Sequence, residues 1–376
     1  MKPPTDVVFS LTGDVCQNSR ALRQLQTLAG MGLNVDVFML GSDEAVEEQE
    51  QNLRMHSLPT PLGHGPRFFA AVHRRFREAA WTTPARVYHA SDLYVLPAMS
   101  AAARRQGGRL AFDARELYTH VTATAGRPLV RHFWRAVEGH YIRRADAVFT
   151  VSTSISRHLA NAYHVPPPTV LPNVPVFRHV VPAGQLRRKA GIAPESVLIL
   201  HQGQMRASRG CELLVDAMRD VHGSALVFLG DGPQEQALRL FVAKHGLEDR
   251  VRFLPPVPPG DLLPLTADAD IGVTLLEDTC LNHRYALPNK LFEYLMAGLP
   301  VLGSDLPEIR SVIAGFDVGC VVDPSDRQAL VDNLQAMVAD KSARRRWAAN
   351  SPLVFERFDG DDAAAQFMAT YRRLLG

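Results

Sequence analysis

The amino-acid sequence predicts an α/β protein built from two doubly wound, Rossmann-like domains. Its 376 residues are more than one hydrophobic core usually supports, so two domains are expected. Short apolar segments alternate with segments of helical period along nearly the whole chain, as in folds with parallel sheets. A proline-rich run at 166–175, followed by basic residues at 187–189, marks the linker. We predict a first domain over 1–180, a second over 181–354, and a tail helix over 355–376.

The first half begins with a βαβ unit. Residues 7–11 and 35–40 are apolar enough for buried strands, and apolar residues recur at helical spacing over 20–31 between them. The loop after the first strand contains Gly13 but no Gly-x-Gly-x-x-Gly pattern, which disfavours dinucleotide binding of the Rossmann-enzyme kind. Further strands are expected at 87–90, 109–113 and 145–152.

The second half repeats this alternation, beginning with a near-continuous apolar strand at 197–203. Such a run is typical of a parallel strand buried on both faces. The loop that follows carries Arg206 and Arg209, and arginine matches the forked geometry of phosphate oxygens. A basic loop in solvent is the alternative. Later strands are expected at 226–229, 251–254 and 268–276.

The stretch 287–301 predicts a loop that enters a helix, which then stops before a short strand. Pro288 suits the first helical turn, where its missing N–H removes no bond. Asn289 and Lys290 stand at this helix start, which offers N–H groups and a positive dipole end to an anion such as a diphosphate. Glu293, just beyond, is placed to accept hydrogen bonds from sugar hydroxyls. An ordinary surface helix is the alternative.

Composition excludes several classes of protein. Hydrophobic residues make up 46% and charged residues 21%, as in ordinary globular chains. No apolar run approaches the roughly 18 residues of a membrane span, and the run 7–9 is too short for a signal-peptide core. Cys16, Cys211, Cys280 and Cys320 are scattered, with neither metal nor disulfide spacing. We therefore expect a cytoplasmic, reduced protein.

Positive charge is concentrated in the first half. Residues 1–180 hold 20 Lys+Arg against 14 Asp+Glu, whereas the remainder holds 21 against 25. The segments 66–81 and 127–144 mix aromatic residues with arginine at helical spacing, which favours peripheral contact with an anionic membrane. Amphipathic helices packed on their own domain, with a solvated arginine face, are the alternative. The net charge is only +2 and no recognised module occurs, so no nucleic-acid partner is expected.

The stretch 287–301 resembles the donor-site motif of retaining glycosyltransferase family 4, in which Glu-x7-Glu precedes an Ala-Gly-x-Pro-Val turn. Glu293 matches the second Glu, and Tyr285 stands where the first would be. Members with Leu-Pro-Asn-Lys-Leu-Phe-Glu-Tyr at this point look similar, as a subgroup. The resemblance implies the GT-B fold, in which two domains face each other across a cleft and the tail helix crosses back to the first. It implies that Glu293 holds the donor ribose. The neighbouring residues implied to hold the donor are Pro288, Asn289, Lys290, Leu291 and Tyr285.

The loop after the strand at 197–203 resembles a second family motif, Gly-Arg followed by Lys-Gly. Arg209 and the glycine after it match Lys-Gly, while Gln204 replaces the Arg, so that Arg206 becomes the candidate second cation. We expect Arg209 and Arg206 to stabilise the leaving diphosphate. Open α/β sheets bind ligands beyond their strand ends, so Gly203 and Gly13 are further donor-binding candidates.

Two segments of the first half resemble the family as well. Residues 89–92 and 113–118 are similar to His-Ala-His-Asp and Asp-Ala-His-Glu-Leu, with Arg115 in place of the His that lies near the donor sugar in related enzymes. Asp113 and Glu116 are the acceptor-side catalytic candidates. Helix capping and dipole matching are the alternative roles for both carboxylates.

The resemblance implies transfer of a sugar from a nucleotide-diphospho-sugar to a hydroxyl acceptor, with retention of the anomeric configuration. The expected acceptor is a glycan or a lipid-linked glycan intermediate, as in polysaccharide biosynthesis. No acidic pair at metal-binding spacing occurs, so no metal or other cofactor is expected, and cations with helix dipoles take that role. The departures from the family pattern leave two alternatives: an inactive paralogue that regulates a partner glycosyltransferase, and a GT-B epimerase acting on the nucleotide sugar.

Overall fold

The computed structural model describes residues 4–15, 18–41 and 52–376, so Cys16 and the first three residues lie outside the described range. The chain forms two compact units. Unit 1 comprises Met1–Asn173 with Asp361–Gly376, and unit 2 comprises Val174–Gly360. Each unit contains a parallel sheet, which confirms the predicted α/β class.

The described part of unit 1 is organised around a seven-stranded sheet of order β3-β2-β1-β4-β5-β6-β7, in which all neighbours are parallel. Its strands are β1 (Thr5–Leu11), β2 (Val35–Gly41), β3 (Leu53–Pro59), β4 (Ala85–Ala90), β5 (Arg109–Ala114), β6 (Ala147–Thr150) and β7 (Thr169–Val170). Its helices before the chain enters unit 2 are α1 (Ser19–Gly30), α2 (Gly65–Trp81), α3 (Leu96–Gln106), α4 (Pro128–Ile142) and α5 (Thr153–Tyr163). The strand order reverses between β1 and β4, so ligands are expected beyond the carboxyl ends of these strands.

Unit 2 contains a six-stranded parallel sheet of order β10-β9-β8-β11-β12-β13. Its strands are β8 (Val197–Gln202), β9 (Ser224–Leu229), β10 (Val251–Leu254), β11 (Ile271–Thr274), β12 (Val301–Ser304) and β13 (Gly319–Val322). Its helices are α6 (Leu186–Ala190), α7 (Cys211–Ala217), α8 (Glu235–Lys244), α9 (Pro259–Thr266), α10 (Leu281–Arg284), α11 (Asn289–Met296), α12 (Pro307–Ile313), α13 (Arg327–Ala339) and α14 (Lys341–Arg357). Here the order reverses between β8 and β11.

The last helix, α15 (Gly360–Leu375), follows unit 2 in the chain but packs in unit 1. Phe367 and Tyr371 lie in the core of unit 1, and the Tyr371 hydroxyl lies 2.8 Å from Nδ1 of buried His89 at the end of β4. This confirms the predicted return of the tail to the first domain. The predicted start of the tail helix at residue 355 is wrong, because α14 continues to Arg357 and α15 begins only at Gly360.

The unit boundaries differ from the predicted 180/181 and 354/355. Residues before and after these points pack with the core of unit 2, because they present apolar side chains to it: Val174, Phe177, Val180, Phe355 and Phe358. The basic residues at 187–189, predicted as linker, form α6 instead, where Arg187 pairs with Asp270. Among the described residues no helix is long and apolar enough to span a bilayer.

Candidate functional site

The carboxyl ends of β8 and β11, where the strand order of unit 2 reverses, position the first group of candidate residues. Gly203 follows β8 with φ of +96°, a conformation that favours glycine. A Cβ added there would lie 3.9 Å from both Cε and Nζ of Lys290, so the Lys290 ammonium lies close to the backbone at the end of β8. Lys290 comes from the first turn of α11, and the strand end and the helix start therefore meet.

Positive charge accumulates at this point. Burial and, after it, the positive charge of Arg209 together lower the pKa of Lys290 to about 8, although Cys211 and Glu293 act in the opposite direction. Nζ of Lys290 lies 3.4 Å from Nε2 of His201, the penultimate residue of β8. Burial, with the charges of Lys290 and Arg209, holds the pKa of His201 well below its usual range, so the imidazole is neutral. Two cations thus adjoin a neutral acceptor, an arrangement that an incoming anion stabilises.

A buried thiol completes the floor of the cluster. Sγ of Cys211, the first residue of α7, lies 3.6 Å from Nε2 of His201, and burial raises the thiol pKa to about 11. Gly210 before it has φ of +68°, and a Cβ there would lie 2.3 Å from Cβ of Leu275. Because only glycine fits, the loop carrying Arg209 packs directly against the end of β11.

Arg206 and Arg209 occupy the same loop with different exposure. Arg209 is half-buried, and its charge reaches Lys290, His201 and His283. Arg206 is exposed, and its carbonyl accepts a hydrogen bond of 3.2 Å from the Arg209 amide. The structure therefore brings Arg209 into the cluster and leaves the Arg206 side chain at the surface.

Glu293 is held at the end of β8 by a relay of hydrogen bonds. Its carboxylate accepts a hydrogen bond from Nε2 of Gln202, the last residue of the strand. Oε1 of Gln202 accepts from the Thr266 hydroxyl at 2.8 Å, and the backbone N–H of Gln202 donates to the Tyr294 hydroxyl at 2.9 Å. The relay fixes the amide orientation of Gln202, which in turn positions the Glu293 carboxylate one helical turn from Lys290.

The remaining candidates of unit 2 lie around the start of α11. Pro288 is the N-cap, not a residue of the first turn as predicted, because its ψ of 137° is extended. Asn289 is half-buried at the first helical position, and Tyr285 is half-buried at the end of α10. Leu291 is fully buried in the core, and its amide donates to the Pro288 carbonyl at 3.1 Å, so it contributes packing to the site.

Asp113 of unit 1 lies in a buried ion pair. It is the penultimate residue of β5 and is 1% exposed, and its two oxygens accept from Nε and Nη2 of Arg20 at 2.7 and 2.8 Å. Gln24 donates to it as well, at 2.8 Å. Burial pushes the pKa of Asp113 up, but Arg20 outweighs this and holds the pKa below its ordinary value. The carboxylate therefore joins α1 to the sheet, and the alternative of helix capping is wrong for it.

Glu116 and Gly13 lie in loops at the same carboxyl edge of the unit 1 sheet. Glu116 is exposed, three residues after Asp113. Gly13 is half-buried after β1 with φ of +132°, and Thr12 before it is anchored by buried Asp92, whose carboxylate accepts from the Thr12 amide at 2.6 Å and its hydroxyl at 2.8 Å. Their predicted roles with acceptor and donor stay predictions.

Sequence reasoning missed His201, Gln202, Thr266 and Cys211. Polar residues at the end of an apolar strand, as at 201–202, are the signal that points to the first two. Thr266 and Cys211 have no such signal, since only the packing of α9 and α7 brings them to this strand. Within 4–15, 18–41 and 52–376, no group of three or more His, Cys, Asp or Glu is arranged to hold a metal ion.

Comparisons with known proteins cover both units. A family model described as "Glycosyl transferases group 1" matches residues 183–354, and one described as "Glycosyl transferase 4-like domain" matches residues 17–174. The chain is 28% identical over 251 residues to the D-inositol 3-phosphate glycosyltransferase of Xylanimonas cellulosilytica. That alignment covers 62% of this chain and 58% of the relative, so the chain spans little more than half the length of this relative.

Two solved structures resemble the whole chain. Sucrose-phosphate synthase from Thermosynechococcus elongatus has a TM-score of 0.82 at 19% identity, over 98% of this chain and 99% of that one. HepE from Anabaena, in complex with UDP-glucose, has a TM-score of 0.78 at 17% identity, over 98% of this chain and 99% of HepE. These likenesses show the GT-B fold. Since the two family models together match most of the sequence, the chain belongs to the group 1 glycosyltransferases.

Proposed function

We propose that this chain transfers a sugar from a nucleotide-diphospho-sugar to a hydroxyl acceptor, with retention of the anomeric configuration and without a metal ion. The observation that carries the proposal is the cluster at the end of β8, where Arg209 and Lys290 lie beside a neutral His201 and next to Glu293. Family membership supports the reaction class, and the relatives named above are a glycosyltransferase, a synthase and a UDP-glucose complex.

The cations act on the leaving group. Breaking the bond between the sugar and the diphosphate builds negative charge on the phosphate oxygens, and fixed positive groups stabilise it in the transition state. Arg209 and Lys290 supply two charges, with the N–H groups at the start of α11 beside them. Arg206, whose side chain is exposed, adds positive charge at the edge of this site and belongs to the same loop as Arg209. Binding of the diphosphate restores the pKa of Lys290 towards its usual range.

Glu293 binds the donor nucleoside through ribose hydroxyls. A carboxylate accepts hydrogen bonds from two adjacent hydroxyls, and Gln202 keeps Glu293 in one orientation before the donor arrives. Pro288 lacks an N–H and the Leu291 amide is bound to its carbonyl, so we place the diphosphate beside the first helical residues, Asn289 and Lys290. Gly203 admits the phosphates close to the backbone.

The chemistry that fits these groups is attack by the acceptor on the same face of the sugar from which the diphosphate leaves. The acceptor oxygen forms the new bond to the anomeric carbon as the bond to the diphosphate breaks, and the acceptor proton passes to the leaving phosphate oxygen. No side-chain base is required. Asp113 is already bound by Arg20, so Glu116 remains the acceptor-side candidate in unit 1. The acceptor is a glycan or lipid-linked glycan, with unit 1 touching an anionic membrane through α2 and α4.

The test is incubation with a panel of UDP- and GDP-sugars, with release of nucleoside diphosphate as the readout. We expect turnover with one donor class, reduced at least about a hundredfold in Glu293→Ala and in Arg209→Ala. Arg345→Ala is the matched control, because Arg345 is an exposed arginine of unit 2 on α14. Donor binding without turnover identifies a regulatory paralogue instead and overturns the proposal.

A further inference from the structure

Unit 1 contains a cavity of about 650 Å³ that the proposed donor site does not use. It lies between α2, α4 and the start of α3, and its volume is within the range of roughly 300–1,000 Å³ found for small-molecule sites. Its walls are aromatic and aliphatic, formed by Phe69, Trp134 and Val137 together with Leu129 and Phe133. A cavity of this kind binds an apolar ligand.

The aromatic wall is rigidly built. The Phe69 and Tyr94 rings stack with centroids 4.8 Å apart, and Trp134 packs edge-on against both, at 4.9 Å from Phe69 and 5.1 Å from Tyr94. The three rings, which come from α2, α4 and the turn before α3, thus hold one another in place. The cavity is therefore preformed and does not depend on a ligand to open it.

The rim of the cavity exposes large apolar side chains. Leu129 is 86% exposed and Phe133 58% exposed, and both line the cavity from α4. Single exposed apolar residues need no explanation, but these lie beside one apolar cavity. The rim therefore continues the apolar surface of the cavity outwards.

Arginine surrounds this apolar surface. Residues 65–81 and 127–144 contain nine arginines against two glutamates, and all of these arginines except Arg75 and Arg77 are exposed. Of the glutamates, Glu138 is buried, so Glu78 alone is at the surface. An apolar centre with a cationic surround complements an anionic lipid, whose chain is apolar and whose head group is negative.

We propose that this cavity binds the hydrocarbon chain of an anionic membrane lipid, with its head group resting on the surrounding arginines. A hydrocarbon needs no hydrogen bonds, and nine of the fourteen lining residues have no polar side-chain atom. Trp134 lies against the chain, and Leu129 and Phe133 enter the bilayer beside it. The inference rests on the membrane contact included in the proposed function, and it is independent of sugar transfer.

The experiment uses the full chain with Trp81→Phe and Trp347→Phe, which leaves Trp134 as the remaining tryptophan of three. Vesicles of phosphatidylcholine, with and without phosphatidylglycerol carrying brominated chains, are added, and both vesicle co-sedimentation and quenching of Trp134 fluorescence are measured. We expect co-sedimentation that requires phosphatidylglycerol, with strong quenching. Replacing Arg131 or Arg135 by Gln should weaken vesicle binding about fivefold for each arginine.

Ala70→Phe separates the cavity from the surface around it. Ala70 lines the cavity from an exposed position on α2, so the larger ring fills the cavity while the apolar surface grows and the charge stays the same. We expect quenching of Trp134 to fall several-fold with an unchanged circular dichroism spectrum. Leu129→Glu should abolish vesicle binding, and Leu240→Glu, at a 67% exposed leucine of unit 2, should not.

The possible outcomes distinguish failure of the cavity site from failure of the membrane contact. Vesicle binding without quenching, or quenching that survives Ala70→Phe, places the lipid on the surface only and overturns the cavity site. No vesicle binding overturns the membrane contact as well, while turnover of nucleotide sugars is measured independently. A dimer abolished by Leu129→Glu, without vesicle binding, identifies a second copy as the occupant and likewise overturns the inference.

Discussion

The carboxyl edges of the two sheets use positive charge in opposite ways. In unit 1, Arg20 meets Asp113 in a buried two-point ion pair, and the cation is neutralised within the fold. In unit 2, Lys290 lies beside the charge of Arg209 and the neutral ring of His201, and its pKa falls to about 8. The first arrangement is complete without a ligand. The second is disfavoured until an anion arrives, which is the property of a binding site.

The largest expected effect is a loss of stability at the buried ion pair of unit 1. Arg20→Met leaves Asp113 as a buried carboxylate without its cation, and removing one partner of a buried pair destabilises a protein by about 3–5 kcal/mol. Urea unfolding monitored by circular dichroism measures this loss. The double change Arg20→Met with Asp113→Leu should recover most of the stability. A single variant as stable as wild type contradicts the structural role of the pair.

The second largest effect is expected at the carboxyl edge of the unit 2 sheet, where a substitution should lower enzymatic activity. In the proposed reaction Arg209→Ala removes a positive group beside the leaving diphosphate, and kcat/KM should then fall by about 10²–10³, as when one preorganised charge-stabilising donor is lost. The melting temperature should stay close to that of wild type, since Arg209 is half-buried, whereas Arg20 is buried in its ion pair with Asp113. Arg345→Ala should leave both quantities unchanged. A loss of only a few-fold would place the phosphate elsewhere.

The carboxyl group of Glu138 is a third buried ionisable group to compare, because it lies in neither a buried ion pair nor the proposed donor site. Glu138 is fully buried on α4, and burial raises its pKa to about 7 although the Tyr163 hydroxyl donates to it at 2.6 Å. Its folded pKa lies above the ordinary value of 4.5, so the folded state binds more protons between these values and stability falls as pH rises through this window.

Glu138→Gln tests this group, since the amide keeps an acceptor for Tyr163 but carries no charge. We expect the variant to be more stable than wild type by about 1–3 kcal/mol at pH 8, with little difference at pH 4.5. Denaturant unfolding at the two pH values measures it. A difference that does not depend on pH contradicts the assignment of the proton to this carboxyl.

The sequence predicts the fold well where a buried element leaves a clear pattern of apolar residues. The run 197–203 is apolar because β8 is buried on both faces, and its end is placed to within one residue. β3 (Leu53–Pro59) is not predicted, because most of its residues are half-buried. Arg54 and His56 of this strand bond Asp36 of β2 across the sheet, a contact that no local pattern reveals.

The site is predicted in part for the same reason. Arg209, Lys290 and Glu293 stand at a loop and a helix start, where local signals indicate anion binding. Asp113 carries a similar signal, but its partner Arg20 is 93 residues away in the sequence, and the pairing is decided by the packing of α1 on β5. Gln202 and Thr266 are likewise brought to Glu293 by tertiary contacts.

The smallest expected effect is the pH dependence of donor binding, and it separates the two edges most directly. Lys290 has a folded pKa of about 8 against an ordinary 10.5, so the unfolded state binds more protons between these values and stability rises with pH there. The proposed diphosphate site requires the charged form of Lys290. KM for the nucleotide sugar should therefore rise above pH 8, by up to about tenfold per pH unit, while Arg20 and Asp113 contribute no such change.

Lys290→Arg and Lys290→Met complete this test. The guanidinium stays charged at all accessible pH, so Lys290→Arg should have a KM that is flat through pH 8–9.5. Lys290→Met removes the unfavourable charge and should raise the melting temperature at neutral pH by about 2–4 °C, while weakening donor binding. An ion pair like that of unit 1 would instead lose stability on such a change. A Lys290→Met variant that melts below wild type would therefore show that both edges are built for stability alone.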